Sequence, residues 1–180
     1  MKAESFLFQR ISYQNQEQFD ADLAWIAQRI WDACTEASDL YKALAKRESL
    51  NSFLVSCAHG KEETVIITWH DVDTHEMVGV SLITGGQPWW DEDISLIRED
   101  LTLAFKNGYG LARCVAKLME SIAEKDTSVK LLVGGCSIEK NMGAVANSYK
   151  KCGYSETKEF HKIVNQCQES DTLFLTHSRK

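Results

Sequence analysis

Two glycines, Gly108 and Gly110, lie directly before a segment whose apolar residues recur at helical spacing. A helix N-terminus presents about four unpaired backbone N–H groups and roughly half a positive charge, and glycine lets a phosphate approach the backbone closely. These residue types in this position therefore predict a site for a phosphate group. An ordinary turn before a helix contains the same residues, and this alternative stays open.

A second candidate site begins at Trp89 and Trp90, which are followed by the acids Asp91, Glu92 and Asp93. Aromatic faces and carboxylates both attract cations, so this segment is suited to binding a cationic amine. The alternative is a surface loop that two buried tryptophans hold in place. The five histidines have no spacing typical of a metal site, and we predict no bound metal.

The length and composition are those of a single globular domain. A chain of 180 residues fits one compact core. No apolar run approaches the ~20 residues that a membrane span needs, and the first residues lack the apolar segment of a secretory signal. The six cysteines are scattered without a CxxC pair, which favours reduced thiols. We therefore predict a cytoplasmic protein without a membrane segment.

The charge of the chain bears on its partners. The formal net charge is −6, and the lysines and arginines are spread along the sequence. Proteins that bind nucleic acid use clustered basic residues against the phosphate backbone, so a nucleic-acid partner is disfavoured. The net field attracts cationic or amine-bearing substrates instead.

Periodicity along the chain predicts strands where apolar residues alternate and helices where they recur every three or four positions. Asn15 is a candidate cap for the first helix, and Gly153 lies where a helix often ends. The predicted elements are strands at 5–12, 64–70, 77–84, 101–105, 129–133, 154–164 and 172–176 and helices at 19–37, 38–45, 111–125 and 140–152.

Two further segments are ambiguous. Residues 53–57 are compatible with a short strand or with the end of a helix, and residues 89–99 are interpreted as a loop that carries one helical turn. The two strands at 64–70 and 77–84 predict an antiparallel hairpin that ends at Pro88. The resulting order is β-αα-ββ-β-α-β-α-ββ, an α/β fold.

This order resembles the GNAT superfamily of acyl-CoA-dependent N-acetyltransferases, and two motifs carry the resemblance in individual residues. Gly108-Tyr109-Gly110 before a helix is similar to the acyl-CoA pyrophosphate loop, written R/Q-x-x-G-x-G/A. The segment 141–154 is similar to the superfamily pattern N-x-x-A-x-x-x-Y-x-x-x-G-F. Phe105 departs from the first pattern, because the superfamily usually has Arg or Gln there. Asn141 lies eight residues before Tyr149, where seven is usual.

The resemblance implies a mixed, mostly antiparallel central sheet with helices on both faces, in one acyltransferase domain over residues 1–180. It also implies acetyl-CoA as the co-substrate and a homodimer formed through the C-terminal strands. The implied cofactor-binding residues are Leu103, Ala104, Phe105, Lys106, Asn107, Gly108, Tyr109, Gly110, Leu111 and Asn141.

The resemblance further implies the residues that carry the reaction. Attack of an amine on a thioester needs a base for the amine, donors for the developing oxyanion and a proton for the thiolate. The superfamily places the Tyr149 hydroxyl to protonate the thiolate, and the alternative is a half-buried helix tyrosine with its hydroxyl in water. Glu99 and Asp100 lie just before the strand at 101–105, where many members have the base, and we assign Glu99. The implied acceptor site contains Trp89, Trp90, Asp91 and Asp93.

The sequence therefore predicts an N-acetyltransferase that moves the acetyl group of acetyl-CoA to a primary amine of a small molecule or a protein, by direct attack in a ternary complex. Phe105 favours an alternative, a GNAT-fold protein that has lost catalysis and binds a partner. A third hypothesis is a GNAT-like enzyme that modifies nucleic-acid bases. Trp89 and Trp90 supply stacking aromatics for it, but the acids beside them would repel the nucleic-acid backbone.

Overall fold

The computed structural model describes residues 2–37, 39–87, 92–135 and 142–155, and these residues form a sheet with helices on both faces. A short 3-10 turn, Arg10–Ser12, connects the first strand to the first helix. In chain order the elements are β1 (Ala3–Leu7), α1 (Gln16–Ala37), α2 (Asp39–Leu44), α3 (Arg47–Ala58), β2 (Thr64–Asp71), β3 (Met77–Gly86), β4 (Ser95–Ala104), α4 (Leu111–Lys125), β5 (Val129–Val133) and α5 (Met142–Lys151).

The sheet has the strand order β1-β2-β3-β4-β5. The first four strands are antiparallel, and β5 runs parallel to β4. The pairing of β4 with β5 covers only the first part of β4 and ends at the pair Arg98 and Val133. Residues 99–104 of β4 therefore have no β5 partner in the part of the chain that the structure describes, and this stretch is an open edge inside the sheet.

Each face of the sheet has its own apolar core. One face packs against α1 and α3, where Phe19, Ile26, Ile30 and Leu54 have 2% or less of their surface exposed. The other face packs against α4 and α5, with Val115 and Met119 fully buried. Burial of one large aliphatic side chain contributes about 1.5–3 kcal/mol, so these two layers hold the helices to the sheet.

Most elements agree with the sequence-based predictions, including the mixed, mostly antiparallel sheet with helices on both faces. The first helix is capped as predicted, because the Glu17 N–H donates to the Asn15 side-chain oxygen at 2.8 Å. The hairpin of β2 and β3 is antiparallel, and α4 and β5 have the predicted bounds. Gly153, two residues after the last residue of α5, adopts φ +86°, which only glycine does without strain, and the helix ends there.

Three predictions were wrong. The first strand ends at Leu7 instead of Ser12, because a 3-10 turn begins at Arg10. The predicted order had two helices before β2, whereas the structure has three, because residues 53–57 are the end of a helix, α3, which was one of their two alternatives. The third error concerns residues 95–99, which form the first half of β4 rather than a loop with a helical turn. Polar residues at 98–100 hid the alternation of this strand, since the inward position 99 carries an acid.

Glu99 and Asp100 accordingly lie inside a strand, not before it. The predicted strands at 154–164 and 172–176 fall outside the described residues, except for 154 and 155, which are not in a strand. Within the described residues, every helix is too short or too polar to cross a bilayer.

Candidate active site

A β-bulge in β4 decides which way its two consecutive acids point. The register pairs Leu82 with Leu101 and Ile83 with Glu99, so Asp100 is an extra residue in β4. Ile83 belongs to the core under α4 and α5, and Leu82 belongs to the core under α1 and α3. The Glu99 side chain therefore faces α4 and α5, at the start of the open edge.

Asp100 lies on the opposite face and is already paired. Its carboxylate accepts a hydrogen bond from the Thr84 hydroxyl and another from Arg98 Nε at 2.6 Å. The Thr84 hydroxyl in turn contacts the Thr64 hydroxyl at 2.7 Å. The bulge thus separates a partly exposed, ion-paired acid from a buried one.

Glu99 is buried, with 4% of its surface exposed. Its Oε2 accepts a hydrogen bond from the Gly135 backbone N–H at 2.9 Å and another from the Tyr149 hydroxyl. Gly135 follows β5, and Tyr149 lies in α5. The side chain of Glu99 therefore bridges the gap that opens where β4 and β5 stop pairing.

Tyr149 is held in one position by its surroundings. It is 5% exposed, and its ring meets the Tyr154 ring edge-on with 5.1 Å between the centroids. A Cβ placed on Gly134 would lie 2.4 Å from Cε1 of this ring, closer than real Cβ contacts. Only glycine at position 134 lets the Tyr149 ring reach Glu99. We call Glu99 and Tyr149 the buried pair.

Residues 105–110, which we call the glycine loop, connect the end of β4 to α4. Gly108 and Gly110 adopt φ values of +95° and +63°, in the left-handed region that favours glycine. Phe105 and Lys106 donate their N–H groups to the Val78 carbonyl. From Asn107 to Ala112, however, no backbone N–H donates to any residue that the structure describes. Six consecutive N–H groups thus lead into the positive end of α4.

Two side-chain contacts tie the glycine loop to the turn between β2 and β3. The Tyr109 hydroxyl donates to Asp71 Oδ2 at 2.7 Å, and the Lys106 ammonium contacts the Glu76 carboxylate. The hydrogen bond from Tyr109, with those from Thr74 and Asp73, lowers the pKa of Asp71 to about 2. The same bond raises the pKa of Tyr109 to about 12.

The side chain of Phe105, the first residue of the glycine loop, points toward α1 and away from the rest of the loop. Its ring meets the Trp25 ring edge-on at 4.9 Å, and the Arg29 guanidinium lies 6.0 Å from its centroid. Phe105 packs against the core under α1 and α3. The aromatic residue in place of the usual Arg or Gln is therefore a packing residue.

The residues of β4 whose backbone groups face the open edge are not all the ones predicted to contact the cofactor. The Phe105 N–H donates to the Val78 carbonyl, so antiparallel alternation turns the backbone of Leu103 toward β3 as well. The N–H and C=O groups of Thr102 and Ala104 then face the open edge. Leu103 was predicted as a contact for the cofactor, but its backbone faces β3 and its side chain packs under α1. Leu111 is another predicted contact. Its side chain is 4% exposed in the core, so only its backbone N–H can contact a cofactor.

Part of the predicted site lies outside the described residues, namely Trp89, Trp90, Asp91 and Asn141. Asp93 is exposed before β4. Sequence reasoning missed Asp71, Thr102, Gly134 and Gly135 as parts of the site. The Gly134-Gly135 pair was visible as the end of a strand, but its contact with a tyrosine fifteen residues later was not. Among the described residues, no three His, Cys, Asp or Glu side chains cluster as metal ligands would.

No family model and no curated protein sequence matches the chain. Solved structures do match its shape over almost all of its length. A possible acetyltransferase from Clostridium difficile 630 is 12% identical with a TM-score of 0.61, and the match covers 93% of this chain and 100% of that one. The ribosomal-protein-alanine N-acetyltransferase of Brucella melitensis biovar Abortus 2308 is 12% identical with a TM-score of 0.59, over 91% and 99% of the two chains.

A third similar structure is glucosamine-6-phosphate N-acetyltransferase from Arabidopsis thaliana, at 9% identity and a TM-score of 0.55, over 92% and 100% of the two chains. The names of the last two give different acceptors, so the shared fold does not select the acceptor. At these identities the likeness concerns the fold, and the fold is the one that the sequence motifs predicted.

Proposed function

Because the chain has the GNAT fold, we propose that it is an acyl-CoA-dependent N-acetyltransferase, with one acyltransferase domain over residues 1–180. It transfers the acetyl group of acetyl-CoA to a primary amine by direct attack in a ternary complex. The observation that carries this proposal is the run of backbone N–H groups from Asn107 to Ala112, which have no acceptor among the described residues and begin where the open edge of β4 ends.

These N–H groups fit the pyrophosphate of CoA. Backbone donors that converge on the N-terminus of a helix favour an anion, and the left-handed Gly108 and Gly110 keep side chains away from it. Lys106 is the nearest cation on the loop, although Glu76 contacts its ammonium. The donor set is thus mostly backbone, which makes an Arg or Gln side chain at position 105 dispensable.

The open edge of β4 fits the rest of the cofactor. Its residues 99–104 extend over roughly 17 Å at about 3.4 Å per residue. The backbone groups of Thr102 and Ala104 face this edge and can hydrogen-bond an extended amide-bearing arm. Such an arm runs from the glycine loop toward the buried pair, where its thioester would lie.

The buried pair supplies the two proton-transfer groups that aminolysis of a thioester needs. Glu99 is the carboxylate that takes a proton from the amine, and Tyr149 is the hydroxyl that protonates the departing sulfur. The hydrogen bond between them supports assigning both to one site. Asp100 is a weaker candidate for the base, because Arg98 and Thr84 already occupy its carboxylate.

We assign the acceptor site to the segment with Trp89, Trp90, Asp91 and Asp93. Its acids, with the net charge of −6, favour a cationic amine. Small-molecule and protein amines both satisfy this chemistry.

Calorimetry with acetyl-CoA tests the proposal, with a glycine variant and its control. We expect Gly110→Val to weaken binding at least 10-fold, because a branched side chain at φ +63° strains the loop and crowds its N–H groups. Gly60 has φ +68° at the end of α3, so Gly60→Val carries the same strain away from the site and should not change affinity. Acetyl-pantetheine, which lacks the pyrophosphate, should bind wild type more weakly and be less affected by Gly110→Val.

Transfer is then measured as thiol release with a panel of primary amines. Absence of acetyl-CoA binding at millimolar concentration would overturn the enzyme assignment and favour the partner-binding alternative. Equal losses of affinity in Gly110→Val and Gly60→Val would remove the glycine loop from the cofactor site.

A further inference from the structure

We propose that Glu99 and Tyr149 act as one proton relay, in which the proton taken from the amine replaces the proton that Tyr149 gives to the departing sulfur. The inference rests on the proposed acetyl transfer and adds to it a coupling between the base and the acid. A base and an acid that work separately would each exchange protons with water between turnovers.

The hydrogen-bond geometry places the two groups in direct contact. The Tyr149 hydroxyl donates to Glu99 Oε2, and the Gly135 N–H holds the same oxygen at 2.9 Å. With 4% and 5% of their surfaces exposed, the two side chains are largely shielded from bulk water. A proton on Glu99 therefore has a direct route to the phenolic oxygen.

The negative charges that Glu99 and Tyr149 carry when deprotonated make the coupling between them necessary. If Tyr149 gave up its proton while Glu99 was ionised, a phenolate and a carboxylate would be in contact in a buried site. Two buried negative charges in contact are strongly disfavoured. Tyr149 can therefore act as an acid only after Glu99 has been protonated, and the amine is the group that protonates it.

An amine that binds as an ammonium ion first releases one proton to solvent, and from the neutral amine onward the steps balance without any further reactant. The neutral amine nitrogen forms its bond to the acetyl carbon, and Glu99 takes the proton that this nitrogen then loses. As the bond between carbon and sulfur breaks, the Tyr149 proton moves to the sulfur and the Glu99 proton moves to the Tyr149 oxygen. The products are the amide and the free thiol, and the pair returns to its starting state of carboxylate and phenol.

Neighbouring residues keep the relay aligned. The Tyr149 ring lies against Gly134, where no side chain fits, and Gly135 orients the carboxylate. The donors and acceptors come from β4, from the residues after β5 and from α5. The relay thus depends on three segments that meet where the sheet opens.

A double-mutant cycle measures the coupling. We expect Glu99→Gln and Tyr149→Phe each to lower kcat by roughly 10²- to 10⁴-fold. A relay predicts that the double variant is no more than about 3-fold slower than the slower single variant, because either change breaks the same path. Tyr154→Phe is the control, since Tyr154 packs on Tyr149 but its hydroxyl contacts the Ala116 carbonyl instead.

Losses that multiply in the double variant would overturn the relay. A second measurement uses wild type alone and does not depend on the folding of variants. Single-turnover rates in mixtures of H₂O and D₂O should follow a curve, because two protons move together, and a straight line would also overturn it. If wild type transfers no acetyl group at all, the proposed function fails; if it transfers acetyl with multiplying losses, only the relay fails.

Discussion

The buried pair and the glycine loop lie at opposite ends of the same open edge of β4, and they are built differently. The pair consists of two side chains from distant parts of the sequence, closed off from solvent. The loop offers backbone N–H groups, and of its two side-chain ties the one to Asp71 is partly buried and the one to Glu76 lies at the surface. Side-chain identity therefore decides the chemistry of the pair, whereas backbone conformation decides that of the loop.

The largest effect that tests this contrast is expected at Gly134. Gly134→Ala places a methyl group 2.4 Å from the Tyr149 ring, so the ring must move away from Glu99. We expect a loss of about 1–3 kcal/mol in the free energy of unfolding, together with a lower kcat at unchanged KM for acetyl-CoA. Thermal unfolding and steady-state kinetics measure the two.

Gly143→Ala is the matched control, because an added Cβ there meets no atom within 4 Å. Gly143 lies in α5, where alanine is the better helix former, so this variant should be as stable as wild type or more so. A Gly134→Ala protein with full activity and wild-type stability would mean that the ring position is not set by this contact.

A smaller effect is expected at Phe105, which tests the loop side of the comparison. Phe105→Arg restores the residue type that the superfamily usually has, but it removes the edge-on contact with Trp25. Such aromatic pairs contribute about 0.5–1.5 kcal/mol beyond burial, so we expect lower stability without tighter binding of acetyl-CoA. Phe53→Arg on the exposed part of α3 is a control for the added charge. Tighter binding in Phe105→Arg alone would contradict a backbone-based cofactor site.

The smallest effect concerns the tie between Tyr109 and Asp71. The pKa of Asp71 is lowered to about 2, mainly by the Tyr109 hydroxyl. A depressed carboxyl pKa stabilises the fold above the unfolded-state value of roughly 3.9, and this contribution is lost as the pH falls from there through about 2. Tyr109→Phe should raise the pKa of Asp71, so less stability is then lost over this pH range.

An NMR titration of the Asp71 carboxyl carbon measures the shift, with Asp126 as an internal reference because Ser128 lowers its pKa independently. An unchanged pKa of Asp71 in Tyr109→Phe would show that the Tyr109 hydroxyl does not lower it. A change in the pKa values of both Asp71 and Asp126 would indicate a general change in the fold.

The sequence predicted the elements whose residues follow one period throughout. The helix at 111–125 and the strand at 129–133 agree with the structure because their apolar residues repeat without interruption. The strand β4 was only half predicted, since an extra residue at Asp100 changes its phase and an inward acid at Glu99 interrupts its apolar pattern. Such a change of phase depends on the neighbouring strand and is not encoded in the spacing of β4 alone.

The candidate site also divides into local features, which the sequence predicted, and contacts between distant residues, which it did not. The glycines of the loop were recognisable because a turn before a helix is a local feature. The contact between Glu99 and Tyr149 joins residues fifty positions apart, and Gly134 matters only because a distant ring lies against it. The packing role of Phe105 likewise depends on Trp25 in α1. Contacts of this kind follow from the assembled sheet and could not be predicted from residue types.

The extra residue in β4 also restricts how this strand can change in length. Removal of Asp100 alone would make Glu99 and Leu101 consecutive, and because these two residues already face opposite sides of the sheet, the inward and outward directions along β4 would be kept. Removal of Thr102 instead would make Leu101 and Leu103 consecutive, so one of these two side chains would leave the core under α1. The strand can therefore lose its extra residue without exchanging its two faces, whereas a deletion elsewhere in its second half would turn a core side chain outward.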